Sequence, residues 1–89
     1  MARKQQAIVI ATAGWVFVGT PVPASSDGFF ALDEAAVIRR WGTTRGLGEL
    51  ALTGARAETV LDPAGYVELA NHAVIGVIKL APGVSMVTL

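Results

Sequence analysis

Glycine and proline interrupt this chain at intervals of about 8 to 15 residues, and the runs between them are rich in Val, Ile, Phe, Trp and Thr. Such interruption leaves no room for a long helix, whereas β-branched and aromatic residues pack well on a pleated surface. The pattern predicts an all-β fold, a small β-sandwich or partly closed β-barrel of about six or seven strands. Strands are expected near residues 6–12, 14–19, 28–32, 35–41, 65–70, 72–80 and 84–88. Between them, "TPVPASSDG" and "LDPAG" (61–65) read as turns, the first with Asp27 and Gly28 suited to a tight reversal. One segment breaks the pattern. In "GLGELALT", Leu47, Leu50 and Ala51 fall at i, i+3 and i+4, which predicts one short helix near residues 46–53, capped by Thr44 and ended by Gly54.

Composition bears on how such a fold hides its apolar surface. A single domain of 89 residues buries only about 60–65% of what its unfolded chain exposes. Yet 53% of the residues are hydrophobic and 16% charged, against roughly 25% charged in an ordinary soluble domain. The surplus has two outlets, a membrane or other subunits. "QAIVIATAGWVFVG" and "HAVIGVIKLAPGV" fall short of the about 18 uninterrupted residues that a spanning helix needs, so subunit contacts are expected and a membrane partner is not. In the second strand Trp15 and Phe17 alternate with Val16 and Val18. Both faces are apolar, which predicts a neighbouring copy over one of them. "APGVSMVTL" is apolar to its last residue, which suggests a terminal strand added to this sheet or a neighbour's. The expectation is a homo-oligomer with Trp15, Phe17, Val84, Met86 and Leu89 at subunit contacts, and with 1–6 and 81–89 as terminal extensions used in attachment.

Charge and residue types narrow the chemistry. Seven basic and seven acidic residues give no net charge, which argues against a generic grip on nucleic acid. There is no cysteine for a disulfide or thiolate zinc site, and His72 is the only histidine, so neither metal nor cofactor is expected. The start "MARKQQAIVIATAG" has too short an apolar run for a signal peptide, and a cytoplasmic site of synthesis is expected. Asp33 and Glu34 are adjacent and would point to opposite faces of a strand. Ser25 and Ser26 have no evident base, and Asp62 precedes a proline at an expected turn. No catalytic residue emerges, and the chain reads as non-enzymatic.

The most distinctive stretch is "RRWGTTRG", residues 39–46. Arg39, Arg40 and Arg45 offer planar forks for phosphate or carboxylate, and Thr43, Thr44 and Gly46 offer hydroxyls and backbone N–H groups near a helix start. Trp41 could stack on a base. The run matches neither the Walker loop nor the dinucleotide fingerprint. In the plainer reading one arginine points outward, the other pairs with Glu34, Glu49 or Glu58, Trp41 fills the core, and the glycines turn the chain. Both readings leave these residues as a ligand- or partner-binding candidate.

The blocks "AAVIRRWGTTRGLGELALTG", "TVLDPAGYVEL" and "HAVIGVIKL", preceded by "GWVFVG", resemble a family of short bacteriophage- and prophage-encoded proteins of uncharacterised activity. The likeness covers most of residues 14–80, and the two tails depart from it. What it implies is a phage origin. The expected function is that of a structural protein, a capsid decoration or minor virion protein. Its partners would be itself and a major capsid or other virion protein, found in the virion and, before assembly, in the host cytoplasm. An alternative is an oligomeric protein that sequesters a nucleotide or other anionic signal of host defence. A third, weaker one is an SH3-like or OB-like barrel that binds nucleic acid.

Overall fold

The computed structural model describes residues 5–44 and 46–86. Five strands, β1 (Ala7–Ala11), β2 (Val16–Val22), β3 (Phe29–Arg40), β4 (Val60–Ala70) and β5 (Val74–Lys79), and one helix, α1 (Leu47–Thr53), make up the fold. The strands form one antiparallel sheet in the order β4-β3-β2-β1-β5. The first four make a meander, and the last strand returns to pair with the first. The fold is mostly β with the one short helix expected, but in place of a sandwich or partly closed barrel of six or seven strands it is a single open sheet of five.

The overcount has a local cause. The expected strands 28–32 and 35–41 are one strand, because Asp33 and Glu34 form a bulge instead of a break. Glu34 takes φ 50° and its N–H donates to Asp33 Oδ1 at 2.9 Å, while pairing shifts register between Leu32 and Ala35. Likewise "LDPAG" is not a turn. It lies inside β4, with Pro63 opposite Ala36, and an edge strand accommodates a proline because the missing N–H would have faced away from the sheet. No strand forms over residues 84–86, and 87–88 lie outside the described residues. The expected strand near 14–19 runs instead from Val16 to Val22.

The edge strands β4 and β5 are joined only by a 3₁₀ turn, Asn71–Ala73. In a flat sheet the two edges would stand about 19 Å apart, yet the four residue steps from Ala70 to Val74 span at most about 14 Å. The sheet therefore coils strongly on itself. Its two faces bury separate clusters. On one, Ile8, Val16, Val18, Ala36 and Ile38 pack under Leu47, Leu50 and Ala51 of α1 and under Leu80 and Met86 of the segment after β5. On the other, Val9, Ala11, Phe17, Leu32 and Ala35 are wrapped by Phe30, Val37, Val67, Leu69 and Val74. Both faces of β2 are thus covered from within the chain, where a neighbouring copy was expected over one.

The helix is placed as its spacing predicts. Leu47, Leu50 and Ala51 are buried, and Gly54 closes it at φ 86° with its N–H on Leu50 O at 2.8 Å. Thr44 does not cap it; the N-cap is Gly46, and the Thr44 hydroxyl donates to Glu49 Oε1 at 3.3 Å. Behind α1, Ala81 N–H donates to Ala51 O (2.8 Å), Leu80 N–H to Gln6 O (3.0 Å) and Met86 N–H to Gln6 Oε1 (2.7 Å). The described parts of the two expected extensions, Gln5–Gln6 and 81–86, are in this way tied to each other and to the helix.

Candidate functional site

The "RRWGTTRG" segment carries the chain from the end of β3 to α1, and the structure shows what most of it touches. Arg39 Nε stands 2.8 Å from Asp62 Oδ2, and Arg40 Nη2 3.4 Å from Glu58 Oε1. Arg56 Nε lies 3.5 Å from Glu49 Oε2. Arg40 has therefore taken one of the carboxylates expected for it, while Arg39 has found Asp62, which sits in a strand and not at the start of a turn. These pairs are exposed and add about 0–1 kcal/mol each. Their consequence is chemical: both arginines already face an acid. Trp41 is 44% exposed instead of filling the core, with its ring over Gly46. The Thr43 hydroxyl donates to Gly46 O at 2.9 Å. Both threonine hydroxyls are thus spent locally, and the seven-residue α1 carries Glu49 in its first turn, which disfavours an anion there. Arg45 lies outside the described residues.

What the loop does locally is brace a second one. Gly42, at φ 69°, passes so close to the α1–β4 connection that a Cβ would lie 2.5 Å from Thr59 N and against the Glu58 carbonyl carbon. The Thr59 hydroxyl donates to Trp41 O (2.6 Å) and accepts the Arg56 N–H (2.9 Å), while Thr59 N–H donates to Arg56 O (3.1 Å). The sequence held no signal for this brace, because residues 42 and 59 are separated by the whole of α1.

Of the expected contact residues, Phe17 and Met86 are buried within the chain, at 8% exposure each. Trp15 remains 54% exposed, its ring stacked on Phe17 with centroids 5.9 Å apart. Val84 is half-buried and Leu89 lies outside the described residues. Two open grooves flank this surface. One, of about 230 Å³, is lined by Ala11, Thr12, Trp15, Phe17, Leu69 and Ala73; the other, of about 320 Å³, by Gln5, Gln6, Ala7, Pro21, Phe30, Val77 and Lys79. Beside the second runs the outer edge of β5, where Ile75 is 69% and Val77 43% exposed.

A polar clasp missed by the sequence closes the β2–β3 loop. Glu68 accepts the Ser25 N–H (2.8 Å), the Ser25 hydroxyl (3.1 Å) and the Tyr66 hydroxyl (2.7 Å). Tyr66 and Glu68 at i and i+2 share a strand face, which the sequence does show; their loop partner it does not. The Ser25 N–H, then the Tyr66 and Ser25 hydroxyls, hold the Glu68 carboxyl below its usual 4.5. The hydrogen bond to Glu68 pushes the Tyr66 phenol above its usual 10.0. Because the Glu68 value is lowered on folding, its contribution to stability is complete above about pH 4.5 and is lost as pH falls through the lowered value. In Tyr66→Phe, the Glu68 titration followed by NMR is expected to move part of the way up toward its usual value; an unchanged midpoint would remove Tyr66 from the clasp.

Among the described residues no three His, Asp or Glu side chains gather as a metal site requires, and no helix is long and apolar enough to cross a membrane. No protein-family model, curated protein or solved structure matches the chain, so its functional reading rests on these surfaces and on the sequence.

Proposed function

We propose that this chain is a non-enzymatic assembly protein, a capsid decoration or minor virion component in the phage setting that the sequence resemblance implies. It works by adding its β5 edge, and the apolar surface beside it, to other copies or to a capsid lattice. The observation that carries this reading is the contrast between the two edges of the sheet. β4 is blunted by Pro63 and by register shifts at three places, devices that discourage strand addition. β5 is less guarded, with one register shift, at Ile75, and one lysine, Lys79, and Ile75 and Val77 stand exposed along it. Zero net charge leaves little long-range repulsion to oppose close approach of copies.

Mass spectrometry of purified particles, with copy number counted against the major capsid protein, tests the reading. A stoichiometric or simple fractional ratio is expected. A protein absent from particles and monomeric in solution would overturn it. The anion-sequestering alternative finds Arg39 and Arg40 already facing Asp62 and Glu58; a nucleotide bound by the free protein, and lost in Arg39→Ala, would favour it instead.

A further inference from the structure

We infer, independently of the assembly reading, that Asp27 is a site of spontaneous backbone modification. The Gly28 nitrogen attacks the Asp27 side-chain carboxyl to form a succinimide, water opens the ring to isoaspartate, and the lengthened main chain loosens the β2–β3 loop.

The chain has three aspartates, and each precedes a different kind of residue. Asp62 precedes Pro63, whose nitrogen has no proton to give up. Asp33 lies in β3 opposite Thr20, and Glu34 after it is fixed in the bulge at φ 50° with a side chain that would crowd a ring. Asp27 precedes Gly28. Both stand in the loop between β2 and β3, where residues 25–29 are exposed. Nothing lies within 4 Å of where a Cβ on Gly28 would stand, so no neighbour obstructs a ring there. Among the described residues no donor is bonded to the Asp27 carboxyl and no acceptor to the Gly28 N–H. Gly28 takes φ 90°, and glycine moves between backbone regions at little steric cost. The nitrogen and the carboxyl carbon can therefore meet by local rotation, and closing a five-membered ring within one chain needs no diffusional encounter.

The steps balance with solvent as the only co-reactant. The Gly28 nitrogen loses its proton to solvent and bonds to Asp27 Cγ; a Cγ–O bond breaks, and that oxygen leaves as water. Water then adds to one of the two ring carbonyls. Breaking the bond from nitrogen to Cγ restores aspartate. Breaking the bond from nitrogen to the main-chain carbonyl carbon leaves the chain running through Cβ and Cγ, one methylene longer, with a free α-carboxylate in place of the side-chain one. No charge is gained or lost. The loop is tied down on both sides of this point. The Ser25 N–H and hydroxyl donate to Glu68 at 2.8 and 3.1 Å, and Gly28 O accepts the Asn71 N–H at 2.8 Å. A methylene inserted between the two ties shifts one against the other.

The test holds the folded wild-type chain in mildly acidic buffer for weeks, then digests samples with trypsin for mass spectrometry. A peptide of unchanged mass and altered retention is expected to grow with time, with fragments from Cα–Cβ cleavage that place the change at residue 27. A minor species lighter by one water should accompany it. Asp33, in the same tryptic peptide, and Asp62 should stay unchanged. Gly28→Ala, folded by circular dichroism, should slow the reaction several-fold. In the isomerised chain, amide exchange at Ser25 and Asn71 should be faster than in fresh protein. A synthetic peptide of residues 22–30 gives the rate without the fold. Isomerisation in that peptide but none in the folded chain would overturn the inference, because the loop then holds the two atoms apart. Modification at Asp33 in place of Asp27 would overturn it as well. An isomerised chain whose exchange at Ser25 and Asn71 is unchanged would overturn its second half, the loosening of the loop.

Discussion

Leu50→Ala is expected to lower the melting temperature by about 12 °C or more. Leu50 is fully buried, at the centre of the α1 contact with Ile8, Val18, Ala36 and Leu80. Removing a buried leucine side chain costs about 2–5 kcal/mol, part transfer and part cavity. A helix of seven residues has no stability of its own, so α1 holds its place only through this packing. A loss of about 3 kcal/mol is a large share of the roughly 4–13 kcal/mol that a chain of this length holds. For a domain this small each 1 kcal/mol moves the midpoint by about 4–8 °C. Thermal denaturation followed by circular dichroism measures it. Leu52→Ala, at a position 69% exposed on the same helix, should change the midpoint little. Equal effects at the two positions would mean that α1 does not cover the sheet.

Gly42→Ala is expected to cost about 3 kcal/mol or more, for two reasons that add. At φ 69° a side chain raises the backbone energy by about 1–2 kcal/mol. The new Cβ would also meet main chain at Glu58 and Thr59, and neither can step aside easily while Thr59 is held by three hydrogen bonds to Trp41 and Arg56. The two loops would part, taking the Arg40–Glu58 pair with them. Gly48→Ala is the control. It lies inside α1 with nothing within 4 Å of an added Cβ, and the change should stabilise by about 0.5–1 kcal/mol. Chemical denaturation of both variants is expected to give opposite signs, and a loss at Gly42 no larger than the about 1–2 kcal/mol of the backbone alone would mean that the close approach is not real.

Local periodicity made α1 legible: three apolar residues at helical spacing and a glycine at the end are facts about neighbours in sequence. Its cap was not: Gly46 stands at the N-cap, and the Thr44 hydroxyl donates to the Glu49 carboxylate instead of accepting a backbone N–H of the first turn. Strand number was overcounted because a polar bulge at Asp33 and Glu34 looks like a break and because residues 84–86 form no strand, while a proline on an edge strand, read as a turn, set the start of β4 too late. The surplus of apolar residues was visible, but the coil of the sheet was not, so burial of Phe17 that the chain supplies itself was assigned to a neighbour. The Arg40–Glu58 pair could be read as one of three choices. Arg39 with Asp62 could not, since it depends on β3 and β4 lying side by side. Which strands are the edges is likewise a property of sheet order, and no window of sequence contains it.

The return of β5 to β1 has a consequence for how the protein comes into being. Strands β1 to β4 can assemble as successive hairpins while synthesis proceeds, each pairing with its neighbour in sequence. The sheet is completed only when the last strand reaches the first across the length of the domain, the kind of distant closure that slows folding toward the millisecond-to-second range. Until residues 74–86 have left the ribosome, β1 presents a bare edge and the underside of α1 lacks Leu80 and Met86. A nascent chain of this fold is therefore most prone to stick to its siblings before residues 74–86 emerge, and crowded polysomes are where that exposure would be felt.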